Sequence, residues 1–218
     1  MALEKRGDNI NLAVIEGFHP FEIPQWNELF LSMEGVTPYF QTIENWAVDC
    51  AGCRRDYDAL LFYNMNMKLD GPFKDAIEKA IADFGHTAQG LVILHHAILA
   101  YPDSPVWHEA VGFPDRSFGY DVEQDITIEI APGDHPITRG LKPWTMRDET
   151  YTMADAGEGC LKLFTADNPK SMKTVGWARD YNSARVFCFQ PGHDHRAWEH
   201  PSFREALLRG IRWAARKL

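Results

Sequence analysis

DALLFYNMNMKLDGPFKDAIEKAIADFGHTAQGLVILHH, residues 58–96, carries the pattern from which the fold is read. Its first six residues, Asp58 to Tyr63, are a short and mainly apolar run, as expected of a strand buried on both faces. After a polar stretch from Asn64 to Gly71, the residues Phe73, Ala76, Ile77, Ala80, Ile81 and Phe84 recur at helical spacing, so one stripe of a helix turns toward a core. Gly85 stops that helix. Gly90 to Leu94 is a second buried strand, and it ends abruptly in His95 and His96. Strand, amphipathic helix and strand in this order form a crossover unit, and such units are right-handed and build parallel sheet.

The same alternation extends toward both ends of the chain. Ile10 to Glu16 is an apolar run closed by Gly17, and Phe18 to Pro24 form a loop with two prolines. Gln25 to Met33 can be a helix started by Pro24, and Thr37 to Ile43 a second strand rich in β-branched and aromatic residues. From Ser117 to Ile130 the pattern changes: Ile126, Ile128 and Ile130 alternate with Asp125, Thr127 and Glu129, which predicts antiparallel pairing with one wet face. Trp144 to Met153, Leu161 to Ala166, Thr174 to Ala178 and Ala184 to Gln190 are further strands. A final helix, Pro201 to Lys217, repeats the apolar stripe with Phe203, Ala206, Leu207, Gly210, Ile211 and Ala214. With no repeat and no Pro/Gly/Ser linker, the expectation is one α/β domain over residues 1–218, a mostly parallel sheet with an antiparallel extension.

Composition narrows the partners. A formal net charge of −9 argues against nucleic acid, whose phosphates are met by basic stripes, and the arginines of the last helix read as a solvated face. No apolar run near the N-terminus or later approaches the length of a membrane span. The four cysteines are too few and too scattered for a secreted scaffold, so a reducing cytoplasm is expected. Small molecules remain as partners, and homo-oligomerisation is left open.

In an open parallel sheet, ligands bind beyond the carboxyl ends of the strands, where the loops diverge. Three strand ends deliver histidine there: His19 with Glu22, His95 with His96, and Gly192, His193, Asp194 and His195. Histidine exchanges protons near neutral pH, and its neutral ring binds divalent metals. Adjacent strand residues point to opposite faces, so His96 is expected in the site and His95 in the core. Among the acids, Asp148 and Glu149 should also diverge, leaving one free as base or ligand, with Glu149 preferred. Trp198 is a candidate sugar-stacking surface, although core packing accounts for most tryptophans. Cys50-Ala-Gly-Cys53 has redox spacing but no second pair, and a turn with two small residues is the favoured reading.

Four pieces in order, His95-His96 after a strand, His135-Pro-Ile-Thr138 before Gly140, Asp148-Glu-Thr-Tyr151, and Val186 to His193 ending in Gly-His, resemble the ThuA-like (trehalose utilisation) family from about Ile10 to Ala215. The resemblance implies a flavodoxin-like, three-layer fold similar to class I glutamine amidotransferases. In those enzymes a strand-to-helix elbow carries a nucleophilic cysteine; here His95-His96-Ala97 stands in its place, so thioester glutaminase chemistry is not expected. It also implies a carbohydrate context, which, joined to the strand-end histidines and acids read above, gives the expectation of an enzyme with His96, His193, Glu149 and Asp148 as catalytic residues, and His19, Tyr151, His195 and Trp198 around a sugar or keto-sugar, with a divalent metal on the histidines as an option. A non-catalytic carbohydrate-binding or accessory protein of a sugar oxidoreductase system is the alternative.

Overall fold

The computed structural model describes residues 7–113 and 115–218. The segment from Met1 to Arg6, read above as lacking an apolar run, lies outside them. Strands β1 (Ile10–Glu16), β2 (Val36–Thr42), β3 (Ala59–Phe62) and β4 (Gly90–Leu94) are followed by β5 (Phe118–Ile130), β6 (Trp144–Met153), β7 (Leu161–Ala166), β8 (Thr174–Tyr181) and β9 (Ala184–Phe189). All join one sheet in the order β2-β1-β3-β4-β9-β8-β7-β5-β6. Pairing is parallel from β2 through β9 and antiparallel from β9 to β6. The alternating pattern after Ser117 therefore marks the antiparallel half.

Helices α1 (Ile23–Leu31), α2 (Ile43–Val48), α3 (Lys74–Ala82), α4 (Pro105–Val111), α5 (His195–Trp198) and α6 (Pro201–Ala214) fall into two contacting groups, α1–α5–α6 and α2–α3–α4. The sheet separates them. In β9, Phe187 lies against α6, where a Cβ on Gly210 would collide with its ring, while the thiol of the next residue, Cys188, reaches the Val111 carbonyl at the end of α4. Period-two alternation thus serves both faces, and an α/β three-layer sandwich results. Each face has its aromatic cluster: Trp26, Tyr63 and Trp198 on one side, Phe62, Phe84 and Trp107 on the other.

Three short helices, α2, α4 and α5, carry no long apolar stripe and are set by caps, so the periodicity of the sequence does not predict them. The Thr42 hydroxyl accepts from Asn45 N–H and starts α2, which also ends the second strand one residue before Ile43. Ser104 caps Trp107 N–H ahead of Pro105 and starts α4. The last helix stops at Ala214, short of Lys217, because Arg216 turns left-handed and Lys217 N–H bonds back to the Arg212 carbonyl. Among the described residues no helix is long and apolar enough to cross a membrane.

Candidate functional site

The site is built at the point where β4 stops. Leu94 is the last extended residue; His95 takes a positive φ of 52° and opens a single 3-10 turn, His95–Leu99. A non-glycine residue held in this region is strained by about 1–3 kcal/mol and persists only where its surroundings impose it. Arg116 is one such constraint: buried, it donates to the carbonyls of Ile98, Ala100 and Tyr101 and closes the turn. A second is the Gln190 carbonyl just beyond β9, 2.7 Å from His95 Nδ1. A carbonyl only accepts, so Nδ1 carries the proton and the lone pair of the neutral ring sits on Nε2.

Around that nitrogen, groups from two other segments converge. Glu149 of β6 places Oε1 3.5 Å from His95 Nε2, and His193, after β9, brings Nδ1 to 3.2 Å. Glu149 and His193 are themselves 3.6 Å apart. The Tyr151 hydroxyl, also on β6, lies 2.8 Å from His95 Nε2 and donates to it. Two histidines and one carboxylate within 3.2–3.6 Å of one another can transfer protons or hold a divalent ion.

Asp148 explains how the two strand ends are joined. It is buried, and its carboxylate accepts from the main-chain N–H groups of Glu149, Gly192 and His193 at 2.9, 2.7 and 2.9 Å. Gln190 Nε2 adds a bond to the Glu149 carbonyl, and the Tyr63 hydroxyl donates to the His193 carbonyl. Asp148 and Glu149 do diverge as adjacent strand residues must, and both oxygens of Asp148 are taken up by backbone N–H groups. Gln190 and Tyr63 escaped sequence reading because a glutamine and a tyrosine closing buried strands carry no local signature.

The adjacent histidines exchange the places expected for them. Alternation holds within a strand, whereas His95 already lies past the end of β4, and its left-handed backbone turns the ring toward Glu149 and His193. His96 is buried and donates through Nε2 to the Tyr63 carbonyl, while its Nδ1 has no partner. The His19 ring stacks on His96, centroids 4.4 Å apart, and meets His193 edge-on. His195, half-exposed, pairs with Glu22 at 3.2 Å on the rim. Trp198 is not a sugar platform: it is fully buried against Trp26, and its indole N–H donates to the Gly192 carbonyl, beneath the site loop. Cys50 and Cys53 are free thiols away from these residues, and Asp49 Oδ1 holds the turn there through two backbone N–H groups.

Burial, together with the neighbouring rings of His95 and His19, pushes His96 well below the usual histidine range, so it stays neutral. Burial and the charges of His193 and His95 also lower His19. Glu149 is held low: its partial burial alone would raise it, but the closeness of the His95 and His193 rings and of the Tyr151 hydroxyl outweighs that effect. Glu149 is therefore a carboxylate at neutral pH. Burial, reinforced by Glu149, pushes Tyr151 well above an ordinary phenol, so it remains a donor.

A family model described as ThuA, trehalose utilisation, matches residues 53–214. Similar solved structures include a ThuA-like protein of Parabacteroides merdae, 18% identical with a TM-score of 0.76 over 95% of this chain and 90% of that one. A cytoplasmic protein of Salmonella typhimurium is 12% identical, TM-score 0.63, over 94% and 98%. A GMP-synthase-subunit-A-like protein of Thermoplasma acidophilum is 8% identical, TM-score 0.55, over 95% and 96%. At these identities the likeness is one of fold, and it joins the chain to the amidotransferase-related architecture. No curated protein matches the chain in sequence.

Proposed function

We propose, because this chain belongs to the ThuA (trehalose utilisation) family, that it is an enzyme of disaccharide breakdown acting on a sugar oxidised to a ketone. The observation that carries the reading is the meeting of His95, Glu149 and His193, from three separate segments, within 3.2–3.6 Å. A site that only held a sugar would rely on amides and exposed aromatics. This one gathers titratable groups around an ionised carboxylate.

A ketone acidifies the neighbouring C–H. Glu149 takes that proton, the C–H electron pair moves into the enolate, and the Tyr151 O–H or a histidine N–H donates to the enolate oxygen. If the glycosidic oxygen sits on the carbon next to the one deprotonated, the enolate re-forms the ketone as the C–O bond breaks, and His193 can protonate the departing oxygen. Return of the proton to the other enolate carbon would give isomerisation instead. The first step is common to both. A cytoplasmic setting accords with the four free cysteines and with the description of the Salmonella relative.

The shared step is testable without knowing the product. In D2O, the protein should incorporate deuterium next to the keto group of a keto-disaccharide, followed by proton NMR. Glu149→Gln should slow incorporation by about 10²–10⁴-fold. Absence of both exchange and conversion across keto-disaccharides with the unmodified protein would contradict the proposal.

A further inference from the structure

We infer that His95 Nε2, Glu149 Oε1 and His193 Nδ1 are the three protein ligands of a single divalent transition-metal ion, of the zinc class. Their separations of 3.2, 3.5 and 3.6 Å form a nearly equilateral triangle. An ion bound at about 2.0–2.1 Å with tetrahedral geometry spaces its ligands about 3.3–3.4 Å apart. A hydrogen-bonded trio would look different, because a charge-assisted bond between imidazole and carboxylate closes to about 2.7–2.9 Å. Glu149 stands beyond that distance from both rings and near the metal spacing from both.

The surroundings favour the same conclusion independently. The N–H of His95 is engaged by the Gln190 carbonyl, which fixes the tautomer and leaves the lone pair on Nε2, the nitrogen that neighbours Glu149 and His193. The His193 main chain is held at both its groups, its N–H by Asp148 and its carbonyl by Tyr63, so the third ligand comes from a pinned loop. The ion pairs of Glu149 among the described residues are with histidines alone; no lysine or arginine bridges to it. A dication would supply the missing positive charge. Two imidazoles and one carboxylate suit first-row transition ions better than magnesium or calcium, which prefer all-oxygen shells. An ion on His95 Nε2 would displace the Tyr151 O–H from that nitrogen and free it for Glu149.

Three protein ligands leave a coordination position open, as in catalytic sites and unlike closed structural ones. The inference rests on geometry and needs no sugar; with the ion on Glu149 Oε1 and His193 Nδ1, the proton transfers proposed above fall to the atoms it leaves unbound, Glu149 Oε2 and the His193 Nε2–H. The test is a titration of the full chain, stripped with chelator and exchanged into metal-free buffer, with zinc chloride followed by calorimetry and elemental analysis, and in parallel with cobalt(II), whose visible spectrum reports coordination. One equivalent per chain is expected, with a tetrahedral-type or five-coordinate cobalt spectrum, and magnesium should not compete. His193→Ala and Glu149→Gln should each weaken zinc binding at least tenfold at unchanged fold by circular dichroism, while His86→Ala, an exposed histidine on another loop, should not. Absence of stoichiometric binding, or equal binding by the His193→Ala, Glu149→Gln and unmodified proteins, would overturn the assignment. Because no sugar is present, this outcome is separate from that of the deuterium-exchange experiment.

Discussion

His193→Ala is expected to fold as the unmodified chain does and to lose about 10²–10⁴-fold in turnover of a keto-disaccharide. The substitution removes the ring that stands 3.2 Å from His95 and 3.6 Å from Glu149. It leaves the two main-chain bonds of residue 193, to Asp148 and Tyr63, in place. The ring is also partly exposed, so little packing is lost. Steady-state kinetics with a thermal melt of the same preparation check both halves. A variant with unchanged turnover would remove His193 from the mechanism, whatever its stability.

Asp148→Ala should have the largest effect on stability of any single change at the site. Its carboxylate satisfies three backbone donors in a buried pocket. Each buried donor left without a partner costs about 1–3 kcal/mol, so a loss of about 3 kcal/mol or more is expected. For a chain of this length that lowers Tm by about 6–12 °C. Asp148→Asn should be milder, because an amide oxygen in place of Oδ1 still accepts from Glu149 and His193 and only the bond to Gly192 is lost. Differential scanning calorimetry of the two variants separates the cases. Equal melting temperatures for Asp148→Ala and the unmodified chain would show that these bonds do not hold the loop.

The sheet was legible because its signals are local. The run Gly90 to Leu94, the stripe of Ile77, Ala80, Ile81 and Phe84 and the alternation around Ile126 and Ile128 each encode burial directly in residue order, and the structure places strands or helix there, while Phe73, at the start of the predicted stripe, is exposed. The short helices α2 and α4 were not, since a cap at Thr42 or Ser104 reads like any turn residue. At the site, the delivery of histidines to three strand ends was legible from topology, and the adjacent acids Asp148 and Glu149 from the residues themselves. The choice between His95 and His96 was not, because it depends on a left-handed φ at one residue, and that conformation follows from Arg116 and the Gln190 carbonyl, 21 and 95 positions away. The roles of Asp148 and Trp198 were hidden for the same reason: whether a carboxylate meets solvent or three amides, and whether an indole faces a cleft or Trp26, is decided by tertiary contacts.

The most direct measurement is a thermal-shift panel of disaccharides, trehalose among them, and their keto derivatives, run on the unmodified chain and on Glu149→Gln. A ligand that binds only the native state raises its stability by mass action, by about 2.7 kcal/mol at a hundredfold excess over Kd. A keto-disaccharide should raise Tm of both proteins, more than its parent sugar does, and should be consumed by the unmodified chain alone. If no sugar or keto-sugar shifts either protein, carbohydrate is not the ligand of the site formed by His95, Glu149 and His193.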